Sequence, residues 1–306
     1  MPIALYTHPD MLDHRPGVRH PERPERLASV LDALNDATGL GLDRREAPLV
    51  ARADLERVHP VGFVDAIASV SPAAGLKRID EDTAMSPGSL TAAYRAAGAV
   101  VSAVRAAAAG EAERAFCAIR PPGHHAEPEA AMGFCLFSNV AVAARAAQAA
   151  GLARIAVVDF DVHHGNGTQA TFQSDPSVFF ASVHQFPCYP GTGRPGETGV
   201  GNIHNAVVLP GSAPEIWRKA FESLMAPLDA FAPDLVLISA GFDAHARDPL
   251  AEQNLEAEDY AWATRAILEV ARARCGGRVV SSLEGGYDLQ ALGQSALAHV
   301  RALGEG

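Results

Sequence analysis

The run Ile155-Ala-Val-Val-Asp-Phe-Asp-Val-His-His-Gly-Asn-Gly-Thr168 decides the reading of this chain. Its first four residues are apolar and fit a strand buried on both faces, and the acids and histidines mark where that strand ends. Side chains alternate along a strand, so Asp159, Asp161 and His163 leave it on one side. Two carboxylates and an imidazole on one buried face are costly to desolvate, and a divalent metal is the usual means of neutralising them. Asp161 and His163 are the natural ligand pair.

Outward from this run, short apolar segments alternate with longer stretches of helical period. Strands are expected at Ile3–Tyr6, Ala115–Ile119, Ile155–Phe160, Val178–Val183, Ala206–Leu209, Leu235–Ser239 and Val279–Leu283. Helices are expected at Pro24–Asn35, Ser89–Ala109, Phe137–Ala150, Pro214–Phe231, Ala257–Arg274 and Leu289–Leu303. Ser89 and Ser212 are the expected helix starts, and Gly110, Gly151 and Gly276 the expected stops. Such alternation predicts an α/β fold, a mainly parallel sheet with helices on both faces. No repeat or linker interrupts it, Pro187–Gly201 reads as a rigid surface loop, and one domain over residues 1–306 is expected.

Loops beyond the carboxyl ends of parallel strands carry function. Five expected strand ends bear polar or glycine-rich chemistry: Arg120-Pro-Pro-Gly-His-His-Ala126, the opening run, Ser182-Val-His184, Gly241-Phe-Asp-Ala-His245 and Glu284-Gly-Gly-Tyr287. Their convergence on one sheet edge outweighs any single motif. Asp243 is the best-placed third metal ligand, although an Asp just past a strand more commonly caps a helix. His245 as a fourth ligand would close the open position that catalysis needs. His124 and His125 can serve as general base and acid if each ring is held, and Asp159 and Asn166 are the polar groups free to hold them. A carboxylate partner favours a charged imidazolium and a carboxamide a neutral ring, so the two rings should differ in proton affinity. Tyr287, after two glycines, can aim its hydroxyl at a developing oxyanion. Gly133-Phe134 and Tyr189-Pro190-Gly191 read as aromatic corners that could wall a narrow channel.

The bulk properties narrow the partners. Of 306 residues, 48% are hydrophobic and 20% charged, as in an ordinary globular protein. A net charge of −11 argues against nucleic-acid binding, which needs phosphate-neutralising cations. Cys117, Cys135, Cys188 and Cys275 form no short-spaced framework. No leader-like start or membrane-length apolar run is present, so a cytoplasmic protein with reduced thiols and no membrane partner is expected.

Together these motifs resemble the histone deacetylase superfamily, in particular the bacterial class II-like deacetylases, acetylpolyamine amidohydrolases and acetoin-utilisation proteins. The resemblance spans nearly the whole chain and also takes in His20-Pro-Glu-Arg-Pro-Glu-Arg26, Met132-Gly-Phe-Cys135 and Pro190-Gly-Thr-Gly193. It implies the arginase/deacetylase fold, with about eight strands, and zinc-dependent hydrolysis of an N-acetyl amide of lysine or a polyamine. Asp161, His163 and Asp243 would bind zinc. His125 would be the general base and acid, His124 its electrostatic partner supported by Asp159, and Tyr287 the carbonyl-polarising hydroxyl. Asn166 stands where class I enzymes carry Asp, a class II-like trait. Phe134 and Tyr189 would flank the acyl arm, with Gly133, Gly286 and Asp82 as further substrate contacts. A structural potassium would lie among Asp159, Asp161, His163 and Ser182, and Arg26 would line an internal acetate pocket.

Two rivals remain at this stage. An arginase-like ureohydrolase would need two bridging metals and more acidic ligands. A non-catalytic binding protein would not need His125 and Tyr287. The acidic triplet Asp80-Glu-Asp82 could hold a cationic amine or a peptide N–H, or be a solvated loop. Substrate identity and oligomeric state are not encoded in these motifs.

Overall fold

The computed structural model describes residues 2–305. In chain order its strands are β1 Ile3–Thr7, β2 Leu42–Glu46, β3 Lys77–Arg78, β4 Ala84–Met85, β5 Arg114–Cys117, β6 Ile155–Asp159, β7 Val178–Gln185, β8 Ile203–Val208, β9 Leu235–Ala240 and β10 Val279–Leu283. The helices are α1 Pro24–Asp36, α2 Arg52–Leu55, α3 Val61–Ser69, α4 Ser89–Ala108, α5 Asn139–Ala149, α6 Asn166–Phe172, α7 Pro214–Glu222, α8 Met225–Phe231, α9 Ala257–Cys275 and α10 Leu289–Leu303. Eight strands form one sheet in the order β2-β1-β5-β10-β9-β6-β7-β8, and β3 and β4 make a separate two-stranded ribbon. Every neighbouring pair in the large sheet is parallel.

Strands β5, β6, β7, β9 and β10 are buried along their whole length. Helices cover both faces of such a sheet, which is why these strands read as unbroken apolar runs. Helices α1, α10 and α9 pack together in one layer, α4 and α5 in another. In α4 the small side chains permit close approach: a Cβ on Gly98 would meet the Pro48 carbonyl oxygen at 1.9 Å. Gly110, Gly151 and Gly276 follow or end their helices at positive φ, as expected of left-handed terminators.

Several boundaries differ from expectation. The β2 segment, Leu-Asp-Arg-Arg-Glu, was not foreseen as a strand because as an edge strand it buries neither face fully. Strand β8 begins at Ile203, three residues before the expected Ala206. The single helix expected over Pro214–Phe231 is two, because Pro227 has no N–H to donate and fits only the first turn of a new helix. Ser89 lies inside α4, whose N-cap is Gly88, and its hydroxyl accepts from the Ser86 N–H at 2.7 Å. Ala213, not Ser212, caps α7.

In space β5-β10-β9-β6-β7 are consecutive strands. Four of the five segments singled out in the sequence therefore leave one continuous stretch of the sheet's carboxyl edge as loops. The fifth, Ser182-Val-His184, lies within the end of β7, which runs on to Gln185 past the expected Val183 because Val183–Gln185 still pair with Ala206–Val208 of β8.

Candidate metal and catalytic site

Strand β6 ends at Asp159, and the chain bends through Asp161 and His163 before α6 begins. Backbone N–H groups fix the carboxylates. Asp161 receives the N–H of His163 at 2.9 Å and of Gly285 at 2.8 Å, and Asp243 receives that of Val162 at 2.8 Å. His163 Nδ1 stands 3.1 Å from Asp161 Oδ1 and 3.1 Å from Asp243 Oδ2. Donors on a tetrahedral ion with ~2.0 Å bonds lie about 3.3 Å apart, so this set fits one small divalent cation. It is the one such group of three among the described residues, its donor atoms all lying within 4.8 Å of one another.

Beside the donors sits the histidine pair, rings 4.0 Å apart. The Pro-Pro-Gly turn that carries them is clamped by Glu284, whose carboxylate accepts from Gly123 N at 2.6 Å and His124 N at 3.1 Å. His124 Nδ1 bonds Asp159 at 3.0 Å, and His125 Nδ1 bonds Asn166 Oδ1 at 2.8 Å. Burial disfavours charge on both rings. For His124 the carboxylates of Asp161 and Asp159 outweigh it, and the pKa is pushed up to about 10. His125 has no such carboxylate partner, so burial, reinforced by His124 and His163, holds it well below its ordinary value. The two rings thus diverge in the sense expected from their partners.

Tyr287 is buried, and burial raises its phenol well above the usual range, keeping it a hydrogen-bond donor. Its backbone N–H donates to Asp248 at 2.7 Å, and Arg26 stacks 4.8 Å from its ring centroid. Arg26 also donates to the carbonyls of Gly286 and Glu284 and to Glu22, which in turn receives two bonds from Arg120. Its Nε and Nη2 are therefore committed to the turn that carries Tyr287, and its Nη1 to Glu22.

A cavity of about 230 Å³ opens over these groups, lined by His125, His163, Tyr287, Phe134, Tyr189, Gly133, Asp82 and Leu250. Asp82 belongs to this wall, and its carboxylate receives Gly133 N at 3.1 Å and the Thr83 hydroxyl at 2.7 Å. Gly133, at φ +57°, packs on the His125 ring so closely that a Cβ would reach it at 2.4 Å. Gly286 is not part of the lining; it gives its carbonyl to Arg26. Ser182 pairs in register with Asp159 across β6 and β7, and its hydroxyl bonds His184 at 2.9 Å. His164 bonds Thr192 and Gln169, and His245 contacts Glu256, so neither joins the donor set. Glu284, Asp248 and Leu250 were not foreseen as site residues. Glu284 had one signal, its place in the Glu-Gly-Gly-Tyr loop.

The parallel eight-stranded sheet with this donor set at its carboxyl edge defines an α/β protein of the arginase/deacetylase fold. Its likeness to the solved HD domain of HDA15 is close: TM-score 0.94 and 36% identity over 99% of this chain and 88% of that one. The model of the histone deacetylase domain matches residues 20–303, and the chain belongs to that family. It is 40% identical over 278 residues to the histone deacetylase-like amidohydrolase of Pseudomonas aeruginosa, covering 87% of this chain and 71% of that protein. It is 37% identical over 298 residues to a probable deacetylase of Archaeoglobus fulgidus, covering 95% and 82%. Membership makes the protein a hydrolase of the deacetylase class with an acyl-amine substrate, and implies a catalytic metal, for which the Asp161–His163–Asp243 group is suited. None of the helices among the described residues is long and apolar enough to cross a membrane.

Proposed function

We propose that the protein is a zinc-dependent deacetylase that hydrolyses the N-acetyl amide of a lysine side chain or a polyamine and releases acetate. The observation that carries this reading is the end of the cavity at His163 and His125, behind which one Asp–His–Asp donor set lies beside two histidines, one held by a carboxylate and the other by a carboxamide. Zinc held by Asp161, His163 and Asp243 supplies Lewis acidity toward the acyl carbonyl and water. Neutral His125 takes the proton of the attacking water, and the Tyr287 hydroxyl donates to the oxygen that becomes negative. His124, held charged by Asp159, stabilises that negative charge, and either imidazole can pass a proton to the leaving amine. Phe134 and Tyr189 wall a slot for an aliphatic arm, and Asp82 accepts from an N–H at its mouth. Asp159, Asp161, His163 and Ser182 occupy neighbouring strand ends suited to a structural potassium ion.

The test is hydrolysis of acetyl-lysine peptide, acetylputrescine and acetylspermidine by one zinc-loaded preparation. Turnover of at least one, abolished by His125→Ala, is expected. No hydrolysis of any of them, or unchanged turnover in the variant, contradicts the proposal.

A further inference from the structure

His125 can act as a base only if its proton sits on Nδ1, leaving Nε2 with a lone pair. Which nitrogen carries the proton is set by the group that meets Nδ1, here the side chain of Asn166 at 2.8 Å. A carboxylate would accept a proton whichever oxygen it presented. A carboxamide has a donor end and an acceptor end, and turning it over would place N–H against Nδ1 and drive the ring proton to Nε2. Something must therefore hold the Asn166 amide one way round.

That group is Glu127. Its carboxylate lies 2.8 Å from Asn166 Nδ2, whereas the other two contacts of this nitrogen, the His125 carbonyl and Met132 sulfur, are longer at 3.3 and 3.4 Å. A carboxylate only accepts, so it attracts the amide NH2 and repels the amide oxygen, and a charged acceptor roughly doubles the strength of such a bond. The backbone on both sides is anchored. Glu127 N donates to Ala130 O at 2.9 Å across a tight turn, and His59 contacts the Pro128 carbonyl at 3.0 Å. At the other end, Gly167 N and Thr168 N donate to the His124 carbonyl at 3.0 and 3.3 Å, locking the start of α6 to the histidine turn.

We infer that Glu127 is a positioning residue, whose carboxylate orients the Asn166 amide and so keeps His125 in the Nδ1-protonated tautomer. The inference rests on the deacetylase reading for its kinetic consequence but not for its structural one. It also explains how a carboxamide can serve beside this histidine: the tautomer is fixed from one residue further away.

The test compares Glu127→Ala with Glu127→Gln, whose side-chain oxygen can still accept from Asn166. On zinc-loaded protein with 15N-labelled histidine, long-range proton–nitrogen correlation spectra read the tautomer of His125, assigned by its absence in His125→Ala. Wild type and Glu127→Gln should show the Nδ1-protonated ring, and Glu127→Ala a mixture or the Nε2-protonated form. In turnover, Glu127→Ala should lose about 10–100-fold in kcat with KM within about twofold, and Glu127→Gln should recover most of it. An unchanged tautomer in Glu127→Ala overturns the inference, as does a kcat loss that glutamine does not rescue. If wild-type protein hydrolyses no acyl amide, the deacetylase reading falls, while the spectra still decide the role of Glu127.

Discussion

Replacing Gly285 with alanine should strip the protein of its metal while leaving its fold in place. A Cβ built on Gly285 falls 2.1 Å from Asp243 Oδ2 and 2.5 Å from Asp161 Oδ2, against 3.4 Å for the shortest ordinary contact. The backbone cannot retreat easily: Gly285 N is bonded to Asp161 at 2.8 Å and its carbonyl receives Phe242 N at 3.0 Å. The carboxylates must therefore shift by around an ångström. Metal–donor distances are held to about ±0.2 Å, so a shift of that size removes two of three donors from bonding range. A loss of at least about 100-fold in zinc affinity is expected, or roughly 2.7 kcal/mol. Position 285 has no left-handed backbone requirement, and alanine there lowers the entropy of the unfolded chain. Competition titration against a chromophoric chelator measures the affinity, and melting of the metal-free proteins separates ligand displacement from unfolding. Gly241→Ala, whose Cβ would meet Asp161 Oδ2 at 2.0 Å, should behave alike, while Gly62→Ala, with nothing within 4 Å, should bind zinc normally. Zinc affinity of Gly285→Ala within about threefold of wild type would refute the assignment of Asp161 and Asp243 as ligands.

Three other outcomes are expected. Tyr287→Phe should retain zinc and KM but lose about 100-fold in kcat, since one oxyanion donor is worth roughly 3 kcal/mol; steady-state kinetics check it. Glu22, wholly buried between Arg26 and Arg120, should cost about 3–5 kcal/mol in urea melts when changed to Gln, because two guanidinium groups lose their charge partner. His59 is neutral in the fold: Nδ1 faces the Pro128 carbonyl, Nε2 accepts from Ser138 N, and burial lowers its pKa to about 4. Below its ordinary value of 6.5 the unfolded chain takes up a proton that the folded one refuses. Stability from this group is therefore complete above pH 6.5 and falls between pH 6.5 and 4, by on the order of 3 kcal/mol. Urea melts of metal-free protein from pH 7 to 4.5 should show that decline, and His59→Gln should flatten it.

The same physics explains what could be read from the sequence. Strands covered by helices on both faces must be apolar throughout, so Ile155–Val158, Leu235–Ile238 and Val279–Val280 announced themselves. Strand β2 did not, since Asp43, Arg44, Arg45 and Glu46 need only half of an edge position buried. Helix α6 begins inside the motif with Asn-Gly-Thr, weak helix formers that give no periodic signal. The clustering of Asp161, His163 and Asp243 was legible because residue types able to hold a metal are few and these stand at strand ends. Glu284 and Asp248 were not read as site residues, because a carboxylate that accepts backbone N–H groups follows no spacing rule. Its partners, Gly123 and His124 for Glu284 and Tyr287 for Asp248, are distant in sequence and adjacent only in the fold.

Charge balance ties these residues into one device. Asp159, Asp161, Asp243 and Glu284 are four carboxylates with at most 1% of their surface exposed. Burial raises the pKa of Asp159 to about 6 and of Glu284 to about 7, and burial with Asp161 nearby raises that of Asp243. Protonated His124 answers one of these charges, and His163, raised well above its ordinary value by Asp161 and Asp243 despite burial, answers another. His163 cannot both carry that second proton on Nδ1 and offer Nδ1 to a metal. A divalent cation held by Asp161, His163 and Asp243 would resolve the conflict, supplying in place of that proton a charge matched to both aspartates. The acidity that would make this sheet edge unstable alone is what suits it to hold a metal, and in the proposed reaction His125, paired with a neutral amide and kept uncharged by burial, is the ring that takes the proton of water.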